Sequence, residues 1–486
     1  MEFGHYDFWQ WLALFQLELL LFAGVFFLIG ALDDILIDGL WVWLKLTGQA
    51  KTPSVNREQL RRQPLNGPIA VFVPAWQEAS VIGHTLIHAL SVWPQTGLRV
   101  YVGCYRNDPD TIAAAMQAAS ALAKRGDHRL RIVIHDRAGP STKADCLNRL
   151  HQALRDEERR YGRLFSGVVF HDAEDMVDPA GLSLLDRALA DGADFAQLPV
   201  EPVAQSHSRW LGSHYCEEFA EAHGKAMVVR SALGAALPAA GVGCAISRRA
   251  LHQLSRRRID GTPFDAHSLT EDYELGLAVA AMGGASRFVR ARAEDGTFVS
   301  TRAFFPTKLA HVVRQKTRWI HGIALQGWDR IGWNGGGIET WMRARDRRGP
   351  LTALVLLVGY SLLTLTLLLW AAASAGLAPE LPLSPLLVFL VGANFAAFAW
   401  RAIWRFGFTA QTYGLLEGLR AVLRIPLANV VSILAGRRAV TAYARTLMGR
   451  AVEWDKTPHL SHPASAAILS PAGMRDPSTS VAQGAS

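Results

Sequence analysis

The chain has 486 residues, half of them hydrophobic, and a formal net charge of +8 from 50 Lys and Arg against 42 Asp and Glu. That length exceeds one compact soluble core and leaves room for a large domain plus a membrane part. No isolated basic tail is present and the arginines gather beside apolar runs, so the charge reads as positive-inside loops and a surface facing anionic lipid, with no nucleic acid as partner.

Residues 9–32 form the first apolar run long enough to cross a bilayer, which takes about 20 residues. The run lacks the basic start and small-residue cleavage site of a removable leader, so a retained span is expected. Glu18 lies inside it. A carboxylate at that depth is either functional or a neutral group bonded to a neighbouring helix. A juxtamembrane linker follows over 33–66.

From residue 67 the pattern changes. A continuous apolar run at 68–74 reads as a buried strand of a parallel sheet. Helix is expected at 79–92, strand at 98–105, helix at 111–124, strand at 130–135, helix at 142–159 and strand at 167–171. This alternation predicts an α/β fold with a doubly wound sheet spanning 67–319, whose ligands bind at the carboxyl ends of the strands. An amphipathic, interfacial region is expected at 320–350, where Trp328, Trp333 and Trp341 suit a membrane–water boundary. Further spans are predicted at 351–373 and 383–400, interfacial or cytosolic helices at 401–460, and a disordered Ser/Ala/Pro-rich tail at 461–486. The residues before Trp9 and those at 371–385 hold no Lys or Arg, whereas 33–350 and the segment after Trp400 are Arg-rich. The first pair is therefore expected in the periplasm and the second in the cytosol, at a bacterial inner membrane. Cys104, Cys146, Cys216 and Cys244 are far apart and show no metal spacing, so they read as small buried residues.

Polar motifs fall where the strands end: PAWQE at 74–78, RNDPDT at 106–111, GPSTKADCLN at 139–148 and HDAED at 171–175; TED at 270–272 and QKTRW at 315–319 come later. Together they suit a diphosphate-sugar site. Asp172 and Glu174, two apart, can hold one Mg²⁺ or Mn²⁺ through oxygen ligands while a diphosphate supplies others. Lys143, at a helix start, adds positive charge near a nucleotide. Asp272 is the candidate general base toward an acceptor hydroxyl. Arg318 can reach the diphosphate, and Trp319 offers an apolar face to an acceptor sugar. Taken singly each motif has a plainer reading: a solvated turn for Asp-x-Glu, a helix cap for Glu271-Asp272, surface charges for Lys143 and Glu78, and a structural hydrogen-bonder for His171. Order and placement together carry the assignment.

These residues resemble the membrane-embedded family 2 glycosyltransferases, the group that includes bacterial cellulose synthase. LTEDYELG at 269–276, QKTRWIHGI at 315–323 and WDKTPH at 454–459 add to the likeness. The resemblance implies a GT-A fold, a Rossmann-like mixed sheet, with about three transmembrane helices. It implies an inverting, divalent-metal-dependent transfer from a nucleotide-sugar. Donor contacts would come from Glu78, Asp108, Lys143, Asp172 and Arg318, the metal ligands would be Asp172 and Glu174, and the base Asp272. The acceptor end would be lined by Glu271, Gln315, Arg318 and Trp319, with Gly241-Val242-Gly243 on the acceptor-side strand. Two departures stand out. The family's Asp-Asp after the second strand is absent, and its DxD is here Asp172-x-Glu174 with Asp175 adjacent and able to share the metal. The expected product is a growing exopolysaccharide, with a single addition to a polyprenyl-phosphate carrier or a non-catalytic scaffold as alternatives. Expected partners are the nucleotide-sugar donor, a glycan or lipid-linked acceptor, membrane lipids, and an outer-membrane export or receptor protein.

Overall fold

The computed structural model describes residues 6–379, 382–449 and 462–464. The motif at 454–459 and most of the expected tail lie outside them.

Helix α1 (Phe8–Leu46) opens on a reciprocal cap: Gln10 N–H donates to the Asp7 carboxylate, and Asp7 N–H donates to the Gln10 side chain. The helix runs well past residue 32, where the apolar pattern ends. Asp33 and Asp34 break that pattern, yet they stay helical because Arg345 and Arg348 reach both of them.

The α/β domain follows as β1 (Ile69–Pro74), α2 (Ile82–Val92), β2 (Leu98–Tyr105), α3 (Pro109–Ala123), β3 (Leu130–His135), α4 (Lys143–Tyr161), β4 (Gly167–Phe170) and α5 (Gly181–Ala190), then β5 (Phe195–Gln197), α6 (His214–Glu221), β6 (Cys244–Ser247), α7 (Glu271–Ala281) and β7 (Ser286–Phe288). The seven strands form one mixed sheet in the order β3-β2-β1-β4-β6-β5-β7. Strands β1 to β4 are parallel, with Phe72 opposite both Tyr101 and Phe170, and β6 runs antiparallel between β4 and β5. Side chains of β1 alternate between two cores. Ile69, Val71 and Val73 pack with Leu86, Leu90 and Trp93 on the α2 side. Ala70 and Phe72 pack with Leu147, Leu150 and Leu154 of α4 on the other. This is the doubly wound arrangement, and it aims the carboxyl ends of β1, β2, β3 and β4 at one edge. Antiparallel β6 begins at that same edge, so the Gly241–Gly243 turn joins them. Cys104, Cys146, Cys216 and Cys244 are all buried and unbridged, and burial pushes the Cys104 and Cys146 thiols up to about 12, which suits packing rather than reactivity.

Helix α8 (Leu309–Trp319) leads through a widened π-type turn, Ile320–Gln326, toward α9 (Gly337–Arg347), α10 (Gly349–Ser374) and α11 (Pro385–Tyr413). Helices α1, α10 and α11 are long and apolar enough to cross a membrane; α12 (Leu415–Leu423) and α13 (Ile425–Leu447) meet at a 51° bend and would make a fourth span if taken together. Leu363, Leu367, Trp370, Phe389 and Phe395 are each more than half exposed on α10 and α11, an apolar surface suited to lipid. The spans pack closely at Gly24, where an added Cβ would meet Leu390 at 3.3 Å, and Asn394 donates to the Gly24 carbonyl at 2.9 Å. Glu18 is exposed and has no polar partner among the described residues; α1 is bonded to α10 by Gln16, which donates to Thr366 at 2.7 Å. The three tryptophans expected at an interface divide: Trp328 is exposed against Trp333, whereas Trp341 Nε1 donates to Asp33 at 2.6 Å.

Candidate active site

Thr142 caps α4 by accepting the Asp145 N–H at 3.2 Å, and its hydroxyl donates to the Ala266 carbonyl. That places Lys143 on the first turn, pointing across the strand ends. Its Nζ lies 2.6 Å from Asp172 Oδ1 and donates to the Gly241 carbonyl at 3.3 Å. Asp272, on the first turn of α7, faces the same ammonium, and its Oδ1 accepts the Tyr273 N–H at 2.7 Å. The cleft around this group is lined by Glu78, Lys143, Asp172, Glu174, Glu271 and Asp272 on the sheet side and by Gln315, Arg318 and Trp319 from α8.

The electrostatics follow from crowding carboxylates in a buried cleft. Burial first, then the Asp272 charge, lifts Glu271 to about 7, against the pull of Lys143. Burial also raises Asp272, with Asp172 adding to the rise and Lys143 and Arg318 opposing it. Burial alone would lower Lys143, but Asp172, Glu271 and Asp272 outweigh it and hold the amine charged. One ammonium thus serves three carboxylates.

Two glycines let these groups approach. Gly241 has φ +81°, and an added Cβ would sit 2.3 Å from Asp272 Oδ2. Gly322, in the π-type turn, lies against Thr270, where a Cβ would meet the side chain at 2.5 Å. The turn after α8 is therefore seated directly on the residue preceding Glu271 and Asp272.

Nine of the ten site residues expected from sequence come together in this cleft. Asp108 does not. It is buried, caps α3 by accepting the Thr111 N–H, and accepts the Gln77 N–H at 2.5 Å. Its carboxylate braces the turn in which Gln77 takes φ 54°, next to Glu78 of the cleft lining. Asp175, read from sequence as able to share a metal, is 1% exposed and engaged by His171 Nδ1 at 2.8 Å and the Asp172 N–H at 3.0 Å. His171 is thus the hydrogen-bonder expected. Trp76 and Tyr105 also line the cleft and were not singled out in the sequence. Their rings meet edge to face at 5.1 Å, Tyr105 stacks on His135 at 5.1 Å, and Trp76 covers Gly139, where a Cβ would strike it at 2.4 Å. The available signal was their position at the ends of β1 and β2, not their residue type.

The residues suit a divalent cation. Among the described residues no three His, Cys, Asp or Glu side chains form a ready-made cage. Asp172 and Glu174 are hard oxygen donors lining one cleft, and the Lys143 ammonium already rests against Asp172 as a cation would. Such a pair fits an ion whose remaining ligands are diphosphate oxygens and water.

A mixed α/β sheet with an acidic cleft at its strand ends, joined to helices long and apolar enough to cross a membrane, is the arrangement a membrane-associated nucleotide-sugar transferase requires. The family described as Glycosyltransferase like family 2 matches residues 66–322, more than half of the chain, and the chain belongs to it. Residues 66–322 are therefore a family 2 glycosyltransferase domain. It is 33% identical over 464 residues to Bacteriophage adsorption protein B of Escherichia coli (strain K12) and to Bacteriophage N4 adsorption protein B of Escherichia coli O157:H7, covering 90% of this chain and 61% of each relative. The chain thus spans about three fifths of the length of those relatives. Among solved structures, a mannosyltransferase from Pyrobaculum calidifontis in complex with GDP-Man and Mn²⁺ is similar at 18% identity and a TM-score of 0.45, over 82% of this chain and 98% of that one.

Proposed function

We propose that this chain is an inverting, metal-dependent transferase that moves a sugar from a nucleotide-sugar, a UDP-sugar in the first instance, to a growing exopolysaccharide at the inner membrane, with its catalytic domain in the cytosol. The observation that carries this reading is the meeting of Lys143, Asp172, Glu174, Asp272, Arg318 and Trp319 in one cleft, although they come from α4, the turn after β4, α7 and α8.

In this reading the donor lies across the strand ends, with its base beside Trp76 and Tyr105 and its diphosphate toward Lys143 and Arg318. A divalent ion held by Asp172 and Glu174 would add charge to neutralise the departing diphosphate. Asp272 takes the proton from the acceptor hydroxyl as that oxygen attacks the anomeric carbon, the bond to the diphosphate breaks, and the configuration inverts. Burial raises its proton affinity, which suits a base, and the Lys143 charge opposes that rise. Trp319 stands on Tyr215 and Phe219 of α6, 6.0 and 6.4 Å between rings, and supports the acceptor sugar through its apolar face.

A second reading, single addition to a polyprenyl-phosphate carrier, draws on the span count: the three long apolar helices among the described residues, or four with the bent pair, are few for a self-contained polymer channel. The curated relatives take their names from phage adsorption, which suits a product or partner reaching the cell surface through an outer-membrane export or receptor protein. The test is a screen of nucleotide-sugars for diphosphate release by the chain in nanodiscs, with and without chelator. Release from one donor, abolished by chelator, supports the assignment; release from none rejects it. Product length on a gel then separates polymer from single addition.

A further inference from the structure

The acidic turn after β4 is held from behind, carbonyl by carbonyl. Thr85 of α2 donates to the Ala173 carbonyl, His88 Nε2 lies 3.0 Å from the Val177 carbonyl, and Trp93 Nε1 donates to the Asp178 carbonyl at 3.0 Å. The Asp175 carbonyl, between them, is met by His462, whose Nε2 lies 3.0 Å away across a sequence separation of 287. His462 is fully buried. Its Nδ1 accepts the Ala464 N–H at 3.1 Å, so Nε2 carries the hydrogen and donates it to Asp175. The ring stacks on His84 at 6.4 Å and meets His88 at 6.2 Å. The Asp175 carboxylate in turn accepts the Asp172 N–H. His462 and the Asp172 backbone N–H thus both bond to Asp175, the residue that follows Glu174 in the turn.

We propose that His462 is a positioning residue for the transfer reaction: it fixes the Asp175 carbonyl so that Asp172 and Glu174 are presented to the donor, and it ties the chain beyond α13 to the catalytic turn. This rests on the reading of Asp172 and Glu174 as the diphosphate and metal carboxylates.

The test uses the full chain in nanodiscs and two variants. His462→Ala removes the donated bond; His462→Gln keeps an amide N–H able to reach the same carbonyl. Hydrogen exchange of a peptide covering 171–178 is expected to quicken about three- to tenfold in His462→Ala, the worth of one hydrogen bond, and to stay within about twofold of the parent in His462→Gln. Exchange over β2 should not change in either. Manganese alone, titrated by electron paramagnetic resonance, is expected to bind about three- to tenfold more weakly to His462→Ala and normally to His462→Gln. In His462→Ala the Mn²⁺ needed for half-maximal rate should rise while kcat at saturating Mn²⁺ stays within about threefold. Unchanged exchange in His462→Ala, or equal quickening in both variants, overturns the proposal. If the parent chain binds no Mn²⁺, the metal reading of Asp172 and Glu174 fails, and the exchange result still decides the role of His462.

Discussion

Replacing Gly241 by Ala probes the base without altering any carboxylate. Gly241 has φ +81°, and a methyl there would lie 2.3 Å from Asp272 Oδ2, 3.3 Å from its Cγ and 3.4 Å from Lys143 Nζ. Ordinary contact distances require the carboxylate to retreat by about 1 Å. Lys143 needs to move little. A left-handed alanine adds about 1–2 kcal/mol of backbone strain, and for a domain of this size that lowers Tm by about 2–8 °C. A misplacement of about 1 Å in a reacting group is worth about 100-fold in rate, or about 2.7 kcal/mol of transition-state stabilisation. Gly241→Ala should therefore lose about 100-fold in kcat for transfer, with the donor KM within about threefold. Diphosphate release at saturating donor and acceptor, well below the measured Tm, reads both quantities. A folded variant with kcat near that of the parent would show that Asp272 is not placed at the reacting hydroxyl.

Four other expectations follow from the same cleft. Asp272→Asn should retain fold and donor binding while losing about 100- to 10,000-fold in transfer, the usual worth of a general base; normal turnover would end the assignment. Asp172→Ala should weaken donor binding in the presence of Mn²⁺ and leave the remainder insensitive to chelator, so a calorimetric titration identical to the parent with and without chelator would contradict the carboxylate's role. Because burial raises both Asp272 and its neighbour Glu271 above the ordinary carboxylate range, and a base must be ionised, kcat should fall on the acid side, at a pH above that of an ordinary carboxylate. Glu271→Gln removes one of two neighbouring negative charges and should move that acid limb to lower pH; a limb that stays in place would exclude the pair from the rate. Trp319→Ala should raise the acceptor KM and leave the donor KM unchanged, and equal effects on both would place Trp319 outside the acceptor end.

The sequence is most legible where local pattern and tertiary role coincide. The bounds of β2 and β3 are those of apolar runs closed by polar residues, and α4 starts where Thr142 signals a cap. Strands β5, β6 and β7 are three, four and three residues long, too short to carry a period, and their pairings join distant segments. Residue 33 ends the apolar pattern of α1 but not the helix, because the arginines that donate to Asp33 and Asp34 lie more than 300 positions away. Asp108 illustrates a competing local rule: Asp-Pro-Asp-Thr is a helix start with Pro on its first turn, and its carboxylate is spent on the cap and on the Gln77 N–H. His462 carries no local signal at all, since its partner is defined only by the fold.

The charged groups between the catalytic domain and the helices make a further point about how the cleft is aimed. Asp38 of α1 and Glu221 of α6 both pair with the buried Lys225. Arg401 of α11 bridges Asp34 and Glu221, at 2.9 and 3.2 Å. Arg424, at the bend between α12 and α13, is fully buried and bonded to Glu217 of α6 and Glu417 of α12, while Arg405 of α11 shares Glu217. Such buried pairs add little net stability over apolar packing, but losing one partner costs about 3–5 kcal/mol. Apolar helix faces can slide past one another with modest loss; a slip that strands Arg424 or Asp38 cannot be absorbed in that way. The networks thus select one placement of α6 against α11, α12 and α13. Trp319 rests on α6, and Thr317 of the same α8 turn donates to the Ala435 carbonyl of α13 at 3.4 Å. The end of the cleft opposite the sheet is consequently held in a single register with the apolar helices, as delivery of an acceptor from the membrane side would require.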